Sequence, residues 1–158
     1  KLAELENLKQ NQNFLLELAK EYGGYVPNMK LDDFAKISPR HQELVDKYLK
    51  SRYSSTSLNK DEGVYEITVN KNEIIKFTYI INKKSKLLNR KFRDELEEII
   101  KNNIDERYYK QDDHDKYDKS SRMWTKINVP NAAFDEVTIW IPYVSGPDYI
   151  KIEFITKR

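Results

Sequence analysis

Between residues 2 and 22, Leu5, Leu8, Leu15, Ala19 and Tyr22 recur on three- and four-residue steps, with Leu16 and Leu18 widening the stripe and Gln12 interrupting it. That spacing lines one face of an α-helix. Gly23-Gly24 closes the helix, because glycine readily takes the left-handed conformation at a helix end, and Pro27 blocks an early restart. A short helical turn is predicted around Leu31 to Ala35. Ser38-Pro39 then supplies an N-cap and a proline at the first helical position. The helix it opens carries Leu44, Val45, Tyr48 and Leu49 on one face and is expected to reach about Tyr53. Ser54 to Lys60 is polar and reads as a loop.

The period then shortens to two. Tyr65, Ile67 and Val69 alternate with Glu66 and Thr68, and after Asn70-Lys71-Asn72 the residues Ile75, Phe77, Tyr79 and Ile81 alternate with Lys76 and Thr78. This predicts a β-hairpin, and Ile74 and Ile80 suggest that its second strand is buried on both faces. Asn82 to Lys86 forms a basic turn. Leu88, Phe92, Leu96, Ile99 and Ile100 next give the clearest helical stripe, expected to pack on the sheet. Asp105 to Arg122 is charged, holds few aliphatic residues and reads as a long exposed loop. A strand follows over Met123 to Val129. Val137, Ile139, Ile141 and Tyr143 then pair, across the turn chemistry of Ser145-Gly146-Pro147-Asp148, with Ile150, Ile152 and Phe154. Pro142 cannot donate to a ladder, which favours an edge position or a bulge for its strand.

The order predicts a single α+β domain over 1–158: N-terminal helices, then an antiparallel sheet of two hairpins with one long helix packed on it. Residues 1–22 are read as a stalk or docking helix and 64–156 as the sheet-containing head. At 158 residues a real core can form. Four Gly, five Pro and 39% hydrophobic residues exclude collagen-like and low-complexity classes. With no Cys, disulfide scaffolds, cysteine nucleophiles and thiolate metal sites are excluded. No apolar run has the length of a membrane span. The chain starts at Lys1, which fits either a leader or anchor lost upstream or an excised cytoplasmic domain.

Catalytic signatures are sparse. His41 and His114 are the only histidines, and no P-loop, dinucleotide or nucleophile-elbow glycine pattern occurs. The densest acidic group is Asp112, Asp113, Asp115 and Asp118, beside His114. Clustered carboxylates of this kind hold hard cations such as calcium, although the segment lacks the glycine and final glutamate of an EF-hand, and a solvated acidic loop is the alternative. No other cofactor is expected.

The formal charge of +2 conceals a basic run at 83–93, in which Lys83, Lys84, Lys86, Arg90, Lys91 and Arg93 occur without an acid. Such a run meets phosphates, anionic lipids or an acidic protein, or is a solvated face. Tyr108, Tyr109 and Tyr117 fall in the predicted loop, where they either contact a partner or fold back over the sheet edge. The candidate partner-binding set is therefore Leu5, Leu8 and Leu15 on the first helix, Lys83, Lys84, Lys86 and Arg90 in the basic run, and the three loop tyrosines.

The segment Leu18-Ala19-Lys20-Glu21-Tyr22 followed by Gly23-Gly24-Tyr25-Val26-Pro27 resembles the junction between the long N-terminal helix and the globular head of type IV pilins and type II secretion pseudopilins. The likeness covers about a sixth of the chain; the family's cleavage site, apolar half-helix with its glutamate, and cysteine pair are absent. It implies a non-enzymatic, extracytoplasmic or cell-surface subunit that assembles through its N-terminal helix. The competing expectation is a cytoplasmic or phage-type domain binding nucleic acid or protein through the basic run, and an enzyme of unrecognised type is third.

Overall fold

The period-two segments form a single seven-stranded antiparallel sheet in the computed structural model, which describes residues 2–60, 63–81, 90–113, 122–140 and 149–156. The strands are β1 (Ser55–Lys60), β2 (Gly63–Asn70), β3 (Glu73–Ile81), β4 (Tyr109–Asp113), β5 (Arg122–Ile127), β6 (Phe134–Trp140) and β7 (Ile150–Thr156). Their spatial order is β1-β2-β3-β7-β6-β5-β4. The helices are α1 (Leu2–Gly23), α2 (Leu31–Ala35), α3 (Pro39–Leu49) and α4 (Arg90–Asn103), with a 3-10 turn at Glu106–Tyr108. One meander, β1 to β3, is thus followed through α4 by a second that starts at the far edge and returns to lay β7 against β3. The mixed α+β class with an antiparallel sheet agrees with the patterning.

Two segments read as loops are edge strands. Ser54 to Lys60 carries β1, in which Ser55, Ser57 and Asn59 are exposed and only Thr56 and Leu58 turn inward. An edge strand has one neighbour and little need of apolar residues, so alternation is faint there. Lys47 of α3 donates from Nζ to the outward carbonyl of Ser57 at 2.7 Å, covering part of that edge. Likewise 105–122 is not one long loop: Asp105 caps the 3-10 turn, β4 follows as the opposite edge, and β5 begins at Arg122. β6 is an interior strand flanked by β5 and β7 rather than an edge, its pairing with β7 shifts register between Phe134 and Glu136, and Pro142 itself lies outside the described residues.

The hairpin of β2 and β3 turns at Lys71 and Asn72, whose φ angles of 51° and 68° are those of a tight two-residue turn matching the strand twist. Pairing passes from Val69–Ile74 to Thr68–Lys76 and skips Ile75. This bulge puts Ile74 in the core and leaves Ile75 half-buried, reversing the strict alternation expected there.

The core is built on one face of the sheet. Ile67, Phe77, Phe154, Val137 and Ile127 stand in one row across β2, β3, β7, β6 and β5, each 0% exposed. α1 ends against this row because Gly23 has no side chain; a Cβ there would overlap the Phe77 ring. Tyr25, also fully buried, stacks on Phe77 and shares hydrogen bonds at 2.6 Å with the Ile74 carbonyl and the Thr156 hydroxyl. His41 binds α3 to the end of α1. Its Nε2–H donates to the Gly23 carbonyl at 2.7 Å, Nδ1 accepts from Ser38 Oγ at 2.6 Å, and the ring packs on Phe34 and Tyr65. Leu96, Ile100 and Ile104 carry the α4 stripe into the same cluster, whereas Ile99 is exposed. The opposite sheet face carries Lys76–Glu153 and Lys126–Glu136 ion pairs at 3.1 and 3.7 Å, and Lys151 over the half-buried Trp140.

α3 stops at Leu49 rather than Tyr53. The Lys50 N–H bonds the Asp46 carbonyl and the Ser51 N–H bonds the Tyr48 carbonyl, a tighter i→i−3 closure that ends the last turn and leaves Leu49 in solvent.

Candidate interaction surface

α1 divides into two halves with different duties. Leu15, Leu18 and Ala19 are buried, so Leu15 belongs to the core and presents nothing to a partner. Toward the N-terminus Leu8 is half-buried, and Leu5 and Leu2 are 64% and 72% exposed. The stripe thus continues past the edge of the body that covers it.

Polar side chains hold this half in place. Asn11, fully buried, occupies the stripe between Leu8 and Leu15; its Nδ2 donates to the Asn7 carbonyl at 2.6 Å and its Oδ1 accepts from the Asp105 N–H at 2.9 Å. Gln12 donates to the Pro130 carbonyl at 2.8 Å. The Asp105 carboxylate accepts from the Arg107 N–H at 3.0 Å and from its guanidinium at 2.9 Å, with Asn7 Nδ2 at 3.4 Å. The Arg107 contacts hold the Asp105 carboxyl below its usual range, and Asp105 in turn raises the guanidinium. Thus fixed, Arg107 lies 5.2 Å from the Tyr108 ring centroid.

The result is a groove of about 380 Å³ lined by Glu4, Leu5, Leu8, Arg107 and Tyr108. Two parts of the sequence-derived set, the first-helix leucines and a loop tyrosine, therefore meet although about 100 residues separate them in the chain. A second groove, lined in part by Lys9, Asn13, Phe14 and Asn103, runs along the same helix. The floor is apolar and the rim carries one acid and one base, an arrangement suited to an aliphatic side chain of a partner and offering no nucleophile and base in contact.

The chain matches no protein-family model, no curated protein and no solved structure.

The other candidates are placed as follows. Tyr109 is the half-buried first residue of β4 and packs on the core. Arg90 opens α4, and Asp112 and Asp113 end β4. Lys83, Lys84, Lys86, Asp115, Tyr117 and Asp118 lie outside the described residues, as does His114. Among the described residues no group of three or more His, Asp or Glu side chains is placed to hold a metal. No described helix is long and apolar enough to cross a membrane. The patterning missed Asn7, Asn11, Asp105 and Arg107. Asn11 carried a signal: it falls on the three- and four-residue steps joining Leu8 to Leu15 and Leu18, where an unpaired amide would be costly, so it requires a polar partner.

Proposed function

We propose that this protein is a non-enzymatic assembly domain whose docking surface is the N-terminal half of α1 together with the Arg107–Tyr108 turn. One observation carries the reading: Leu2 and Leu5 are left largely in water on an otherwise anchored helix, beside a groove floored by Leu5, Leu8 and Tyr108. Contiguous exposed apolar side chains with a polar rim mark interaction sites. The partner in this reading is a second copy, whose Leu2 and Leu5 enter the neighbour's groove while Glu4 and Arg107 supply opposite charges at its rim. The specific form we propose is the head of a membrane-tethered or exported subunit of pilin-like type. Its support is the resemblance at Tyr22 to Pro27 and an N-terminal helix laid on an antiparallel sheet.

Sedimentation velocity from low micromolar to high micromolar concentration tests the reading. The wild type should shift to larger species as concentration rises, and Leu2→Ser with Leu5→Ser should remain monomeric. A wild type monomeric throughout would overturn self-assembly.

A further inference from the structure

A second exposed apolar patch lies where α3 meets β1. Tyr53 is 78% exposed, the most exposed of the large hydrophobic side chains described, and Leu49 is 67% exposed. The backbone that presents them is fixed. Lys50 caps α3, the Ser51 N–H bonds the Tyr48 carbonyl at 2.9 Å, Tyr53 N–H bonds Ser51 Oγ at 3.0 Å, and Ser54 joins the sheet through Val69 at 2.9 Å. Lys47, Lys50 and Arg52 stand among the two apolar residues, all exposed, and no acid occurs from 47 to 60. Of the α3 carboxylates, Asp46 accepts from Gln42 at 2.8 Å and Glu43 lies about one turn further back. The patch precedes β1, whereas the Arg107–Tyr108 turn precedes β4 at the other edge of the sheet. Six interstrand spacings, about 29 Å, separate the two edges.

We propose that the Leu49–Tyr53 tip is a docking site for an anionic membrane surface. The three cations are complementary to acidic head groups, which draw basic residues to the interface. A tyrosine ring has its preferred position at head-group depth, and an exposed leucine beside it gains by entering the acyl boundary. Nucleic acid would engage the cations and stack on Tyr53 but has no use for Leu49, so lipid accounts for more of the patch. With two inserting side chains, binding is weak and reversible. This site is separate from the assembly surface and does not depend on it.

Co-sedimentation with large vesicles tests the proposal, using phosphatidylcholine alone and phosphatidylcholine with about one-third phosphatidylglycerol, at low and high salt. The protein should pellet with the anionic vesicles only, and salt should release it. Lys50→Gln with Arg52→Gln should lower partitioning about 25-fold, about fivefold per charge. Leu49→Ser with Tyr53→Ser should lower it about tenfold at unchanged circular dichroism. Ile99→Ser, an exposed apolar position on α4 outside the groove and the tip, should partition like wild type. Partitioning indifferent to the tip substitutions, no preference for anionic vesicles, or capture of a single-stranded oligonucleotide without vesicle binding would each overturn it.

Discussion

Tyr25 offers a sharp test of how the helices are fixed to the sheet. Its hydroxyl is the only group that joins the loop after α1 to both β3 and the end of β7, through the Ile74 carbonyl and Thr156 Oγ1, among the described hydrogen bonds. Tyr25→Phe keeps the ring stacked on Phe77 and Phe134 and removes two bonds at 2.6 Å. A carbonyl and a hydroxyl are then left in a site that is 0% exposed at the tyrosine and 2% at Thr156. At about 1 kcal/mol for each net hydrogen bond, plus part of the cost of an unsatisfied buried acceptor, the loss should be about 2–3 kcal/mol. For a domain of this size that is a fall in Tm of roughly 4–12 °C. The pH dependence is a second signature. Burial, as the largest cause, pushes the Tyr25 phenol up from 10.0 to about 12, against hydrogen bonds that lower it. Below pH 10 both folded and unfolded chains hold this proton. Between about 10 and about 12 only the unfolded chain releases it, so stability falls as pH rises, by at most about 1.4 kcal/mol per unit from this group. Urea titrations at pH 7.5 and pH 11 should show wild type losing more stability over that interval than Tyr25→Phe. A Tyr25→Phe loss under about 0.5 kcal/mol with an unchanged alkaline profile would refute the reasoning.

Other substitutions probe the same frame. Gly23→Ala, whose methyl would overlap the Phe77 ring, should cost at least about 2 kcal/mol in urea titration, and pairing it with Phe77→Leu should recover part of that. Burial, as the first cause, lowers the His41 pKa below 6.5, so stability should be full above that value and decline as pH falls through it. His41→Gln should show a smaller decline between pH 7.5 and pH 5 by chemical denaturation. Asn11→Ala leaves the Asp105 N–H without its acceptor and should cost about 1–3 kcal/mol, with faster hydrogen exchange at Asp105.

Legibility in the sequence followed burial. α1 and the start of α3 were readable because an apolar stripe and the Ser38-Pro39 cap act locally, and β2, β3, β6 and β7 because interior strands need alternating apolar residues. β1 and β4 were hidden because an edge strand, bonded on one side only, tolerates Ser-Thr-Ser-Leu-Asn-Lys and Tyr-Lys-Gln-Asp-Asp. The Ile75 bulge was hidden for a different reason, since a register shift depends on a partner strand that periodicity does not see. Of the candidate surface, Leu5, Leu8 and Tyr108 were named from the sequence, but their meeting requires β4 to lie at the far edge. Arg107 gains its role only through Asp105 and Tyr108. Leu49 was placed on the buried face of α3 because its stripe continues there, whereas the capping hydrogen bonds end the helix at that residue.

The assembly reading stands on the exposed leucines of α1, and the absence of cysteine makes it directly measurable. Leu5→Cys and, as a control on α4, Ile99→Cys each give a single thiol in a chain that has no other; Ile99 is 44% exposed and lies off the groove. Under mild oxidation at micromolar concentration, disulfide-linked dimers should form faster with Leu5→Cys than with Ile99→Cys, and adding Leu2→Ser should slow them. Equal rates at the two positions would contradict assembly through this helix.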